Sequence, residues 1–369
     1  MNKWITLALV GALAGCGGEE EAAPTPAPEP PAEPAAPAEP EAPAEPAAPA
    51  EPEAPALPPE PEPATPAAQT EGDVTLTAVR CTLDGPPIHR DSFGLPGVAV
   101  SPDGNFGYLP DQDGRLRRYR IGGAGDTCTF TLDTGFGEGG MLALGFGDGM
   151  GARIERVEVD RQGRVYVSTS MSGAVRVGQN GELTRCDGSR GGLAMAPDGS
   201  WGLATFVSTV RKITWTADGC TVEDNWTYPE AYSGSHAFSF SGNHLFVAGS
   251  VGTNHYQVQR YNGAGTATAG PRWGGAGLSD PNKICSPGNV VTGSRGEVVL
   301  DQNCRSFIVT SGGGNVVGRV NGMRLIGLRY PWIGNVTEPR NGVAYVSASH
   351  ERGSGHRHYD QYVFRVSGL

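Results

Sequence analysis

From residue 98 onward the chain alternates short apolar runs with polar turns. Six segments share one form: an apolar strand, a turn with Gly or Asn, then a second apolar strand. They read VAVSPDGNFGYL (98–109), VEVDRQGRVYVS (157–168), LAMAPDGSWGLA (193–204), FSFSGNHLFVAG (238–249), VVLDQNCRSFIVT (298–310) and NVTEPRNGVAYVS (335–347). Runs of this length, bounded by turn residues and lacking helical periodicity, predict strands. The Ser-Pro-Asp-Gly turn suits its place, because Pro presets φ at its second position and Gly tolerates positive φ near its end.

Each pair is followed by further strand-like runs. RLRRYRI and CTFTLDT follow the first, AVRVGQ and ELTRC the second, VRKITWT and CTVEDNWTY the third, YQVQRYN and TATAGPRW the fourth, and NVVGRV and MRLIGL the fifth. Four strands per unit, in units of roughly 40 to 60 residues, predict the blades of a six-bladed β-propeller, an all-β fold. The sixth unit stops after YVFRVSGL, and VTLTAVRCTLDG (74–85) is expected to supply its outer strand. Closing the ring with the two ends of the domain removes open sheet edges. A seven-bladed ring, with GNVVTGSRG (288–296) in an extra blade, is the alternative.

Residues before 73 are of another kind. MNKWITLALVGALAGC carries one positive residue, Lys3, an apolar run from Trp4 to Leu13, and small residues before Cys16. That is the layout of a secretion signal and is too short for a membrane span. From Glu19 to about Gly72 the chain is Ala, Pro and Glu, with AEPAAPAEPEAP occurring at 32–43 and again at 44–55. Prolines this dense forbid helix, and so little apolar bulk cannot offset ordering entropy, so an extended disordered tether is expected over 16–72. Residues 16–71 carry 13 glutamates and no Lys or Arg, whereas the propeller region 73–369 is close to neutral. The net charge of −11 therefore belongs to the tether, and without a concentrated basic surface no nucleic-acid partner is expected.

Two resemblances extend this reading. Leu13-Ala14-Gly15-Cys16 resembles the lipobox of bacterial lipoproteins, which implies a signal peptide over 1–15, diacylglyceryl modification at Cys16 and a membrane anchored through that lipid. With Gly17 next, the family's sorting habit implies the outer membrane. The alternative is an ordinary signal peptide that contains a cysteine. The phrases VAVSPDG and VEVDRQGRVYV resemble bacterial propellers of the NHL and YVTN types, a likeness that implies fold and not activity.

Enzyme motifs are incomplete. Lactonase-type six-bladed propellers take a metal-binding Glu before the first inner strand, where this chain has DSFGLP. Streptogramin-lyase-like propellers need a catalytic histidine with an acidic neighbour, and His236 lacks a matching motif. Cys-x-x-Cys-His, a Gly-x-Ser-x-Gly elbow and a phosphate-cradling loop before a helix are absent from the sequence. No catalytic residue and no cofactor is expected, and the enzyme reading, a metal-dependent hydrolase or lyase, stands as the alternative.

Cys81, Cys128, Cys186 and Cys220 fall at or near the fourth strands of successive blades. Their positions are expected to lie too far apart for the roughly 7 Å Cα limit of a disulfide. Cys285 and Cys304 are the disulfide candidate.

Propeller connectivity sends blade-to-blade connections, and those between second and third strands, to one face of the disc. The long connections 86–97, 134–153, 249–257, 274–296 and 347–361 all belong to that set. Variable length on one face of a rigid scaffold marks a functional face. Candidate binding residues there are His89, Arg90, Asp91, Asp111, Asp113, Tyr232, His255, Trp332, His350, His356, His358, Tyr359 and Asp360, a mixture that suits protein, peptide or carbohydrate contact. His356 and His358, two apart, are the weak metal candidates, but Arg352 and Arg357 interrupt them and no metal is expected. The expected function is a lipid-anchored envelope protein that displays a non-enzymatic binding or scaffold module.

Overall fold

The computed structural model describes residues 68–85, 88–90, 97–111, 113–146, 154–189, 191–206, 209–224, 236–252, 255–262, 269–274, 284–302, 304–311, 315–328, 331–351 and 359–369. The chain divides into two units, Met1–Pro59 and Glu60–Leu369, and every described residue belongs to the second. The expectations for 1–67, Cys16 included, lie outside the described residues.

Among the described residues the strands form six sheets, and the fold is a six-bladed β-propeller. Blade two is a four-stranded meander of Ile154–Val159, Val165–Thr169, Ala174–Val177 and Leu183–Cys186. Blade three follows as Gly192–Met195, Trp201–Phe206, Thr209–Trp215 and Cys220–Glu223. Blade four is His236–Ser241, His244–Gly252, His255–Asn262 and Ala269–Trp273. Blade five is Pro287–Thr292, Glu297–Asp301, Ser306–Thr310 and Val316–Asn321. Blade one has Ala99–Val100, Phe106–Pro110, Arg115–Gly122 and Thr129–Leu132, with Met141–Ala143 added against its third strand. Blade six has Trp332–Val336, Val343–Glu351, Tyr359–Ser367 and, from the other end of the domain, Val74–Arg80.

Strand alternation explains the ring. Along Val165–Thr169, Val165 and Val167 pack with blade one while Tyr166 packs with blade three. In blade four, Leu245 and Val247 face blade three while Phe246 and Ala248 face blade five. Successive side chains point to opposite faces, so a strand flanked by two blades is apolar throughout. Six buried clusters result, one at each junction between consecutive blades.

The closing segment does more than fill the outer position of blade six. Val74–Arg80 runs antiparallel to Tyr359–Ser367, and Gln69–Glu71 pairs beyond it. The chain then crosses to blade one, where Thr82 and Leu83 pair in parallel with Thr129 and Phe130. It returns to blade six, where His89 and Arg90 pair with Asp360 and Tyr359.

Four expectations are corrected. Cys81–Cys128 and Cys186–Cys220 are disulfides, with Cα atoms 4.4 and 5.3 Å apart. Each pair joins the end of one blade's outer strand to the start of the next blade's, so the positions are not equivalent. Cys81 and Cys128 immediately precede the parallel register pair Thr82 and Thr129. Cys285 and Cys304, the disulfide candidate, are also bonded.

Blade five begins one strand earlier than expected: residues 298–310 are its second and third strands, and Pro287–Thr292 is its inner strand, which absorbs the segment that the seven-bladed alternative placed in an extra blade. Within MRLIGL, Gly322–Ile326 is a short helix, capped at its start by the Asn321 side chain and at its end by Gly327 in the left-handed region. The expected loop 249–257 is largely strand, because the blade-four hairpin runs to Gly252 and resumes at His255.

Candidate functional site

Polar side chains gather at the central channel and on the face carrying the long connections. The channel is lined by all six inner strands and encloses a cavity of about 100 Å³. Its polar groups are largely bonded to neighbouring strands. Asn335 Oδ1 accepts from Val98 N at 3.0 Å and its Nδ2 donates to Val98 O at 3.1 Å, joining blade six to blade one. Asn289 clamps Val336 in the same way, Oδ1 at 3.1 Å from N and Nδ2 at 3.0 Å from O, joining blade five to blade six. Ser239 and Ser241 accept from Val290 N and Thr292 N, joining blade four to blade five.

Arg156 and Glu158 form an ion pair at 2.7 Å, and Arg156 Nη1 also donates to Phe238 O at 3.0 Å. Burial raises the Glu158 carboxyl above its ordinary value, against the opposing pull of Arg156. A desolvated carboxyl disfavours its charged form unless compensated. Asn289 and Asn335 are thus engaged on backbone amides of the neighbouring blades, and the channel is braced internally.

On the long-connection face, six expected residues gather at one end of blade six. His350, Asp360 and His89 occupy one cross-strand row, and Tyr359 with Arg90 the next. Trp332, Ser349 and Gln361 form the adjacent row. Trp332 is 41% exposed, and the Arg305 guanidinium lies over its ring at 5.9 Å from the centroid. Gln361 is only 5% exposed, and neither atom of its side-chain amide has a hydrogen-bond partner among the described residues. A buried polar group left unpaired costs free energy and calls for a partner.

Other expected residues are placed differently. Asp111 is 3% exposed and accepts from Asp113 N and Arg115 N, both at 3.0 Å, while pairing with Arg115 and Arg117. It closes a turn and is corrected from a contact residue to a structural one. Asp113 is exposed and pairs with Arg115. His255 starts the third strand of blade four on the same face, apart from the blade-six group. The side chains of His89, Arg90, His236, His255 and Tyr359 lie outside the described set, as do residues Asp91, Tyr232, His356 and His358 altogether. Among the described residues no helix is long and apolar enough to cross a membrane.

No protein-family model matches the chain, and no curated protein matches it. Many solved structures are similar, among them the two that follow. The β-propeller domain of Cps50 (Swd1) from Myceliophteria thermophila is 10% identical, with a TM-score of 0.44 over 76% of this chain and 100% of that one. A functionally unknown protein from Desulfotomaculum acetoxidans DSM 771 is 14% identical, with a TM-score of 0.41 over 66% of this chain and 75% of that one. Neither bears on function, and the six-bladed ring rests on its own strand pairing.

Arg305 and Gln361 were missed by the sequence. Arg305, at φ 49°, lies between the second and third strands of blade five, on the long-connection face. The one-strand offset had put it on the opposite face. Gln361 had no sequence signal, because its distinction is the absence of a bonding partner.

Proposed function

We propose that this chain is a cell-envelope lipoprotein, anchored through Cys16, that displays its propeller as a non-enzymatic binding or scaffold module. The observation that carries the reading is the exposed Trp332 beside Arg305 at the blade-six end of the long-connection face. Tryptophan and arginine are the residues most enriched at binding hot spots. The unpaired Gln361 amide in the adjoining strands supports contact there. The braced channel supports binding in preference to chemistry, because its asparagine and serine groups already serve the fold. The partner class is protein, peptide or carbohydrate, and the membrane is engaged only through the lipid. The lipobox, with Gly17 after Cys16, supports the outer membrane as the location.

The test is capture from envelope extracts by the full chain, with Trp332→Ala as comparison. The wild type should retain a specific partner that the variant loses while melting at the same temperature. Equal capture, or turnover of a lactone that depends on this face, would overturn the reading. Anchoring is checked separately: Cys16→Ser should move the protein from the membrane to the soluble fraction.

A further inference from the structure

Two stretches of the closing segment share the edge of Tyr359–Ser367 in blade six. Val74–Arg80 pairs with its lower part, from Phe364 to Ser367. The chain then pairs with blade one through Thr82 and Leu83, and comes back to blade six for His89 and Arg90, opposite Asp360 and Tyr359. Ile88 anchors this return: it is buried at the junction with blade one, and its carbonyl accepts from Gln361 N at 3.2 Å. What the return adds to blade six is a histidine position beside Asp360.

A row of three results. His350 pairs with Asp360 and Asp360 with His89, so the order across three adjacent strands is His, Asp, His. No register shift interrupts Val343–Glu351 against Tyr359–Ser367. Alternation therefore puts His350 and Asp360 on the face that carries Ala348 and Tyr362, toward blade five, and Ser349 and Gln361 on the opposite face. Asp360 is 9% exposed and His350 half-buried. Directly opposed residues of an antiparallel pair have Cβ atoms about 4.5–5.5 Å apart, so an ion over the aspartate position is within reach of an imidazole on either side. Two imidazoles and a carboxylate are a zinc donor set, and three protein ligands leave a fourth position open.

We propose that His350, Asp360 and His89 bind one zinc ion at the blade-five side of blade six, on the long-connection face. The ion ties the returning segment to the second and third strands of the blade, and its fourth position is left to water or to a group of a bound partner. The site stands whether or not Trp332 contacts a partner. It is also a different set from His356 and His358, which lie outside the described residues.

Isothermal titration of the metal-stripped full chain with zinc chloride tests this, with melting followed in parallel. Zinc should bind saturably, one per chain, and raise Tm, since a ligand of the folded state stabilises it. Magnesium, which prefers oxygen ligands, should leave Tm unchanged. Losing an outer-shell partner of a metal ligand costs about tenfold or more, so His350→Ala, Asp360→Asn and His89→Ala should each weaken zinc by at least that factor. The metal-free variants should melt as the metal-free wild type does. Asp360→Asn keeps the side chain's shape, so it reports on the ligand even if His350→Ala unfolds. Trp332→Ala and His356→Ala/His358→Ala should bind zinc as the wild type does. Absence of saturable binding, binding that survives Asp360→Asn or His89→Ala, or binding lost with His356 and His358 instead would overturn the proposal and leave an adventitious ion only.

Discussion

Removing the Cys81–Cys128 disulfide tests how the ring is closed. The bridge spans 47 residues and ties the closing segment to blade one just as that segment leaves blade six. The chain-entropy relation gives about 4 kcal/mol for a loop of that length. For a domain of roughly 300 residues, a loss of about 4 kcal/mol lowers Tm by about 6 °C. The same relation gives about 3.8 and about 3.2 kcal/mol for the bridges spanning 34 and 19 residues.

Entropy alone makes the three similar, but topology separates them. Without Cys81–Cys128, Val74–Arg80 keeps its pairing with Tyr359–Ser367 but loses its covalent hold on blade one. Cys81→Ala/Cys128→Ala should therefore lower Tm and also accelerate amide exchange in Val74–Arg80. Cys186→Ala/Cys220→Ala should lower Tm without that local effect, because it joins blades that are contiguous in sequence. A loss below about 1 kcal/mol, or exchange in Val74–Arg80 unchanged from wild type, would refute the closure argument.

Three further outcomes follow from the described contacts. Asn335→Ala strands the N–H and C=O of Val98 and should cost about 2 kcal/mol in urea unfolding. Gly97→Ala should act on the same clamp, since a Cβ there falls 1.9 Å from Asn335 Cγ; a cost of about 1–3 kcal/mol is expected, and the two losses should not add. Glu158 holds its proton more tightly when folded than its ordinary value of 4.5 implies. Its contribution is therefore fully present below that value and is lost as pH rises through the raised folded one. Replacing it by Gln should remove this part of the pH dependence of Tm, and an unchanged profile would contradict it.

Much of the fold was legible because its signals are local. Strand pairs with Pro-Asp-Gly or Gly-Asn turns identify themselves, and the missing strand of blade six pointed to residues 74–85. Blade five was not legible in the same way. Its inner strand, PGNVVT, opens on Pro and Gly after a long Gly-rich connection, whereas EVVLD and SFIVT on either side of a turn imitate the inner pair of the other blades. Apolar runs are equally strong in all strands buried on both faces, so strength could not give the strand its number.

The disulfides and the site depended on a relation that repeats conceal. Reading Cys81, Cys128, Cys186 and Cys220 as equivalent rim positions implied distances too large for bonding. The residues are instead staggered: RCTLD ends one outer strand and TCTFTLD begins the next, so neighbouring blades present opposite ends to each other. The same stagger brings Arg176 from the third strand of blade two to Ala217, in the turn that ends the third strand of blade three. A blade junction is thus where residues of unlike repeat position meet, and it can differ at every step around the ring. That makes junctions, as well as the long connections, the places where one propeller acquires chemistry its repeats do not encode.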